Sequence, residues 1–184
     1  MIHFKCIDFS YGDVPVFSGF SLPVEGAVNV IEGASGCGKT TLLKLAAGLL
    51  TPSAGKIEGM PKRPAVMFQE NRLLPWFNLR ENVEAVLPRE RRSEAAKWLE
   101  LVELSELSEK LPGETSGGQQ RRTALARALG FGGDILILDE PLKGLDKALI
   151  TRLVPKIKAL GIPIIVTSHS ELETALWGGN VTVI

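Results

Sequence analysis

The sequence predicts an α/β fold: a mainly parallel sheet covered by helices, with an antiparallel β portion at the N-terminus and a small inserted helical lobe. Three observations carry this. A glycine-rich loop at 33–41 joins the apolar run Val28-Asn29-Val30-Ile31 to an apolar helix at 42–47 that ends at Gly48, the strand-to-helix entry of an α/β unit. From residue 118 onward a helix at 118–129, a strand at 135–138, a helix at 147–160 and a strand at 164–167 alternate, which is the order of a parallel sheet with covering helices. Between these parts lies a stretch rich in Glu, Leu, Arg and Ala.

The elements follow from local chemistry. Residues 2–30 alternate apolar and polar side chains and break at Tyr11-Gly12-Asp13 and Val24-Glu25-Gly26, which predicts short antiparallel strands joined by turns. A strand is expected at 65–68. In the helical stretch, Leu99, Val102 and the Leu101/Leu104 pair have helical spacing, while Asn78 and Glu81 form a helix-start capping pattern. Pro88 and Pro112 mark breaks, and Pro155 inside the helix at 147–160 predicts a kink. The expected organisation is one domain over 1–184, with a core at 1–70 and 118–184 and the lobe at 71–117.

Composition narrows the functional classes. The 184 residues are 45% hydrophobic and 23% charged, as in an ordinary globular domain with a substantial core. With 21 basic and 21 acidic residues, no global field favours nucleic acid or anionic lipid. Cys6 and Cys37 are isolated thiols without paired spacing, which disfavours a disulfide framework or zinc site and fits a reducing cytosol. The N-terminus lacks a charged leader followed by an apolar block, and no apolar run is long enough to span a bilayer.

The most specific local signal is Gly33-Ala34-Ser35-Gly36-Cys37-Gly38-Lys39-Thr40, a complete G-x-x-x-x-G-K-[ST] pattern followed by Thr41. Its glycines let successive N–H groups face an anion, and the helix start adds its positive dipole end. Lys39 is placed to reach the β- and γ-phosphates of ATP, and the Thr40 hydroxyl to ligate Mg²⁺. A flexible Gly/Ser turn is the bland alternative; it does not require the full pattern between a strand and a helix.

Ile135-Leu136-Ile137-Leu138 runs into Asp139-Glu140-Pro141, delivering two carboxylates to the carboxyl edge of the sheet, where open α/β folds bind ligands. Asp139 is assigned to Mg²⁺ and Glu140 to the attacking water as general base. Alone, such a pair would more often be a solvated turn; beside a phosphate loop it becomes a site.

Thr115-Ser116-Gly117-Gly118-Gln119 at the head of the helix at 118–129 narrows the class. A Ser-Gly-Gly helix entrance is a second anion site, although a simple N-cap explains Ser116 equally well. This segment, with Arg122, Ala126, Arg127, Ala128 and Leu129 behind it, resembles the signature of the ABC (ATP-binding cassette) ATPases, usually Leu-Ser-Gly-Gly-Gln. The resemblance covers about residues 1–180 and implies a P-loop NTPase with a RecA-like core. It implies that Ser116, Gly117, Gly118 and Gln119 act in trans on ATP held by a second subunit in a head-to-tail dimer. It also implies catalytic parts for Gln69 and His169 beside Lys39 and Glu140, metal contact by Gln69, and stacking of Tyr11 on adenine. Asp146 matches the family's loop after the acidic pair.

Two positions depart from the family pattern: Thr115 stands for the usual Leu, and Lys143-Gly144-Leu145-Asp146 differs from Ser-Ala-Leu-Asp in its first two residues. The sequence stops at Ile184, soon after the histidine strand, where family members usually continue, so no C-terminal regulatory domain is expected. Residues 73–83, with Leu74, Trp76 and Phe77, resemble the corresponding stretch of importers for nitrate, sulfonates and taurine. The expected function is the motor of an importer of a small solute, bound to integral-membrane permeases at the inner face of the membrane. The alternative is a soluble ABC ATPase that remodels or assembles a protein complex. A chromosome-maintenance ATPase is disfavoured because the interval 41–114 holds no long coiled coil.

Overall fold

The computed structural model describes residues 1–184. In chain order the elements are β1 (Ile2–Tyr11), β2 (Val14–Val24), β3 (Val28–Glu32), α1 (Lys39–Ala46), β4 (Ala54–Glu58), β5 (Pro64–Met67), α2 (Leu79–Glu84) and α3 (Ala95–Leu101). They continue with α4 (Gly117–Phe131), β6 (Ile135–Leu138), α5 (Lys147–Lys158), β7 (Ile164–Thr167), α6 (Glu171–Trp177) and β8 (Asn180–Val183). Two sheets result: an antiparallel sheet of order β2-β1-β4, and a parallel sheet of order β5-β6-β7-β3-β8. The fold is that of a RecA-like P-loop NTPase, with the glycine-rich loop following β3 of the parallel sheet, as the family resemblance implies.

The parallel strands are apolar on both faces because both faces are covered. Ile137, Ile165 and Ile31 point into one core cluster, with α1 and the antiparallel sheet. Leu136, Leu138, Ile164, Val166 and Val30 point into the other, with α2, α3, α4 and α5. The two-residue period of the strands thus divides one sheet between two cores.

Helix boundaries obey their caps. Asn78 and Glu81 form the expected capping box at α2, and Ser116 and Gln119 form another at α4. Helix α4 ends on Gly132, whose φ of +70° suits a left-handed terminus. Helix α5 starts on Asp146, whose side chain accepts from the Leu149 amide at 2.9 Å, and ends with Lys156 and Lys158 in its last turn. Pro155 lies inside it, and the helix continues to Lys158, close to the expected end. Pro88 and Pro112 each precede or open a short 3-10 turn, as breaks should.

Three elements lie outside the sequence-based expectation. β4 pairs with β1 and closes the antiparallel sheet, whereas α6 and β8 add a fifth strand beyond β3. The N-terminal part is a hairpin of two long strands of 10 and 11 residues, with bulges, where shorter strands were expected. No helix is long and apolar enough to cross a membrane.

Candidate active site

Four adjacent parallel strands, β5, β6, β7 and β3, end at the same sheet edge. β3 runs into the phosphate loop, β5 toward Gln69, β6 into Asp139-Glu140 and β7 into Ser168-His169. Their side chains line one pocket formed by Ser35, Gly36, Gly38, Lys39, Thr40, Thr41, Gln69, Asp139, Glu140 and His169. Residues spread over more than 130 positions of sequence therefore meet because the strands are parallel and neighbouring.

The loop is shaped by its glycines. Gly36 and Gly38 have φ of +82° and +103°, and a Cβ at Gly38 would sit 2.9 Å from a Val16 methyl. Only glycine fits there without strain. No side chain caps α1, so the first amides of the helix are free to bind an anion. The Lys39 ammonium, 7% exposed as a residue, bonds the carbonyls of Gly33 and Ala34 at 2.8 Å each and lies 3.8 Å from the Cys37 sulfur. It is held by neutral acceptors, which leaves its charge uncompensated for an incoming phosphate.

Asp139 is buried, and each of its carboxylate oxygens accepts one hydrogen bond. Thr40 donates to its Oδ2 at 2.6 Å and Thr167 donates to its Oδ1 at 2.8 Å. Thr167 in turn accepts from the Glu140 amide at 2.8 Å. Glu140 has φ +47°, a left-handed conformation costing a non-glycine residue about 1–3 kcal/mol. The bonds from Thr167 and Arg121 hold it there.

The Glu140 carboxylate, 11% exposed, meets His169 Nε2 at 2.7 Å, Lys143 Nζ at 2.6 Å and Gln69 Nε2 at 3.5 Å. Burial pushes its pKa up, but the Lys143 and His169 hydrogen bonds outweigh burial and the net shift is downward. The group is thus ionised at neutral pH, the state a general base requires. Glu173, on α6, takes the opposite direction: burial raises it, and the Ser168 hydroxyl only partly offsets this.

The donor set fits a hard divalent cation. A hydroxyl, one carboxylate and an amide at Thr40, Asp139 and Gln69 line the same pocket and would supply part of a shell that nucleotide oxygens and water complete, the usual arrangement for Mg²⁺. The free helix amides and Lys39 likewise fit a triphosphate.

Other sequence-assigned residues lie elsewhere. Ser116, Gly117, Gly118 and Gln119 do not line this pocket; Ser116 accepts from the Gln119 amide at 3.3 Å and its own amide donates to the Gln119 side chain at 2.8 Å. Gly118 faces Leu145, where a Cβ would come within 3.2 Å of a methyl. Tyr11 is 47% exposed and edge-on to Phe9 at 5.0 Å, outside the pocket lining. Cys37 is part of the loop without lining the pocket, as are Gly33 and Ala34.

Sequence reasoning missed Thr167 and Arg121. A polar residue closing the apolar run Ile164-Ile165-Val166 was the available signal for Thr167. Arg121 gave none, being one of two adjacent arginines on a helix.

Fold and site define a P-loop nucleotide-binding protein with a second helix-tip motif. The family model for the ABC transporter matches residues 19–143. The chain is 39% identical to an aliphatic sulfonates import ATP-binding protein, SsuB, of Albidiferax ferrireducens, covering 95% of this chain and 67% of that one. It is 45% identical to SsuB 1 of Paraburkholderia xenovorans, covering 95% of this chain and 54% of that one. Among solved structures it resembles the dimeric bacterial ABC transporter cassette MJ0796, with a TM-score of 0.89, 26% identity and coverage of 100% and 94%.

The chain belongs to the ATP-binding proteins of ABC transporters and, within them, is similar to ATP-binding proteins named for aliphatic sulfonates import. It spans roughly half to two thirds of the length of these curated relatives.

Proposed function

We propose that the chain is the ATP-hydrolysing motor subunit of an ABC importer for a small solute. The observation that supports this most is the meeting of Lys39, Thr40, Gln69, Asp139, Glu140 and His169 at one sheet edge. In this reading the loop amides and Lys39 hold the phosphates, and Thr40, Asp139 and Gln69 hold Mg²⁺, which neutralises charge on the phosphoryl oxygens. Glu140 takes the proton of the attacking water, and His169 orients the carboxylate and reaches toward the γ-phosphate.

Residues 1–184 act as one domain, with a core at 1–70 and 118–184 and a lobe at 71–117. Tyr11 stacks on adenine, for which its exposed ring is suited. The tip at Ser116, Gly117, Gly118 and Gln119 serves ATP held by a second subunit in a head-to-tail dimer; its absence from the chain's own pocket accords with action in trans. Two such subunits close on ATP and push on integral-membrane permeases, working from the cytoplasmic face and without nucleic acid. The energy comes from the preference of ATP for the closed dimer.

Glu140→Gln tests the hydrolytic part. ATP binding should persist, steady turnover should fall by on the order of a hundredfold or more, and an ATP-bound dimer should accumulate in light scattering. Undiminished turnover removes Glu140 from its role. Copurification of a permease from detergent extract tests transport.

A further inference from the structure

Arg121 lies in the second turn of α4, the helix whose tip is Ser116-Gly117-Gly118. Its guanidinium is buried, and no carboxylate lies against it as an ion-pair partner. Instead its Nε donates to the Glu140 carbonyl at 2.9 Å and a terminal nitrogen donates to the Asp139 carbonyl at 2.9 Å. The other terminal nitrogen donates to the Gln69 carbonyl and, at 3.2 Å, to the Asn71 side chain.

A rigid fork is thus committed to the two segments that carry Gln69, Asp139 and Glu140, through the three backbone carbonyls of those residues and the Asn71 side chain. Contacts to carbonyls fix where a segment runs. They do so most tightly at Glu140, whose left-handed backbone is already pinned through its amide by Thr167. Farther along α4, Arg127 donates to the carbonyls of Asn71 and Arg72 at 2.8 Å each, so the helix and the segment after Gln69 are joined at two levels.

We propose that Arg121 is a positioning residue that couples the two nucleotide sites of the dimer. Triphosphate of the partner subunit loads the Ser116 tip; the helix passes the load through Arg121 to the backbone of Glu140, the base for the chain's own triphosphate. Each site thereby governs the carboxylate of the other. This deepens the function proposed above and rests on it.

The test is steady-state ATP hydrolysis and binding of N-methylanthraniloyl-ATP by the full chain carrying Arg121→Gln, Arg121→Lys, Ser116→Ala, or Ser116→Ala with Arg121→Gln. Arg121→Gln should lower kcat about tenfold or more with nucleotide affinity within about twofold, because the phosphate loop is untouched. Arg121→Lys should recover part of kcat, since one ammonium can still bridge two carbonyls. Ser116→Ala should lower kcat severalfold in the natural chain but under about twofold in the Arg121→Gln background, the non-additivity of residues acting as a unit.

Natural kcat in Arg121→Gln overturns the proposal, and so does a Ser116→Ala effect undiminished in that background. Loss of nucleotide affinity together with kcat in Arg121→Lys would reduce Arg121 to a prop of the fold. Glu140→Gln measured in parallel separates the two readings: full turnover there sinks the hydrolytic role, whereas loss there with natural kcat in Arg121→Gln sinks the coupling alone.

Discussion

The Thr40 hydroxyl donates to Oδ2 of Asp139 across 2.6 Å, joining two residues 99 positions apart in the chain. One belongs to the helix after the phosphate loop and the other to the end of β6, so the bond ties the two nucleotide motifs together. Both groups are hard oxygen donors, and a cation entering between them would exchange a hydrogen bond for two ligands.

Asp139→Asn removes the only carboxylate of this donor set while keeping an acceptor for the threonines. Mg²⁺ affinity in the presence of ATP should fall about tenfold or more. The fold should remain, because Asn can still accept one threonine bond. Magnesium titration of turnover reads the effect; an unchanged half-saturation point removes Asp139 from the metal.

Lys39→Ala takes away a charge held by neutral carbonyls of its own loop. A charge-assisted contact to phosphate contributes roughly 1.5–3 kcal/mol, so ATP affinity should fall on the order of tenfold to a hundredfold. Calorimetry giving the same Kd as the natural chain contradicts the assignment.

Glu103 links the helical stretch to α5. Hydrogen bonds from Arg152 lead the causes that lower its pKa to about 2 against burial, with Lys156 assisting. Because the folded value lies below the unfolded value of 4.5, the pair stabilises fully above that pH and is lost as pH falls toward about 2. Glu103→Gln should lower neutral-pH stability by about 1 kcal/mol or less, the pair being partly exposed. It should also flatten the acid limb of melting temperature against pH. A variant whose acid limb matches the natural chain's would show that this ion pair plays no part.

Trp76 is 70% exposed, so Trp76→Ala should change stability by no more than about 0.5 kcal/mol and leave ATP hydrolysis of the isolated chain intact. Permease capture should be lost if the ring docks a partner. A marked drop in melting temperature would instead assign Trp76 to packing of the lobe.

Much of the site was legible because its chemistry is local. The phosphate loop needs glycines, a lysine and a threonine at fixed spacing within eight residues, and Asp139-Glu140 needs only an apolar strand before it. Caps were legible for the same reason: Asn78 with Glu81, and Ser116 with Gln119, act over a single turn. Strand β4 is not legible in sequence because Ala54-Gly55-Lys56-Ile57-Glu58 has little strand character, and it is held by pairing with β1 some fifty residues earlier. Strand β8 likewise depends on its parallel partner β3.

Sequence alone determined the α/β class, the phosphate cradle, the acidic pair and the helix tip, since backbone freedom, strand periodicity and capping act between near neighbours. The tertiary structure decided that β5, β6, β7 and β3 lie side by side, that Thr167 bridges Asp139 and Glu140, and that Arg121 grips the backbone of both. Those relationships are set by which strands pair and which side chains meet in a shared core. No local pattern records them, because their free energy depends on groups brought together only when the whole chain packs.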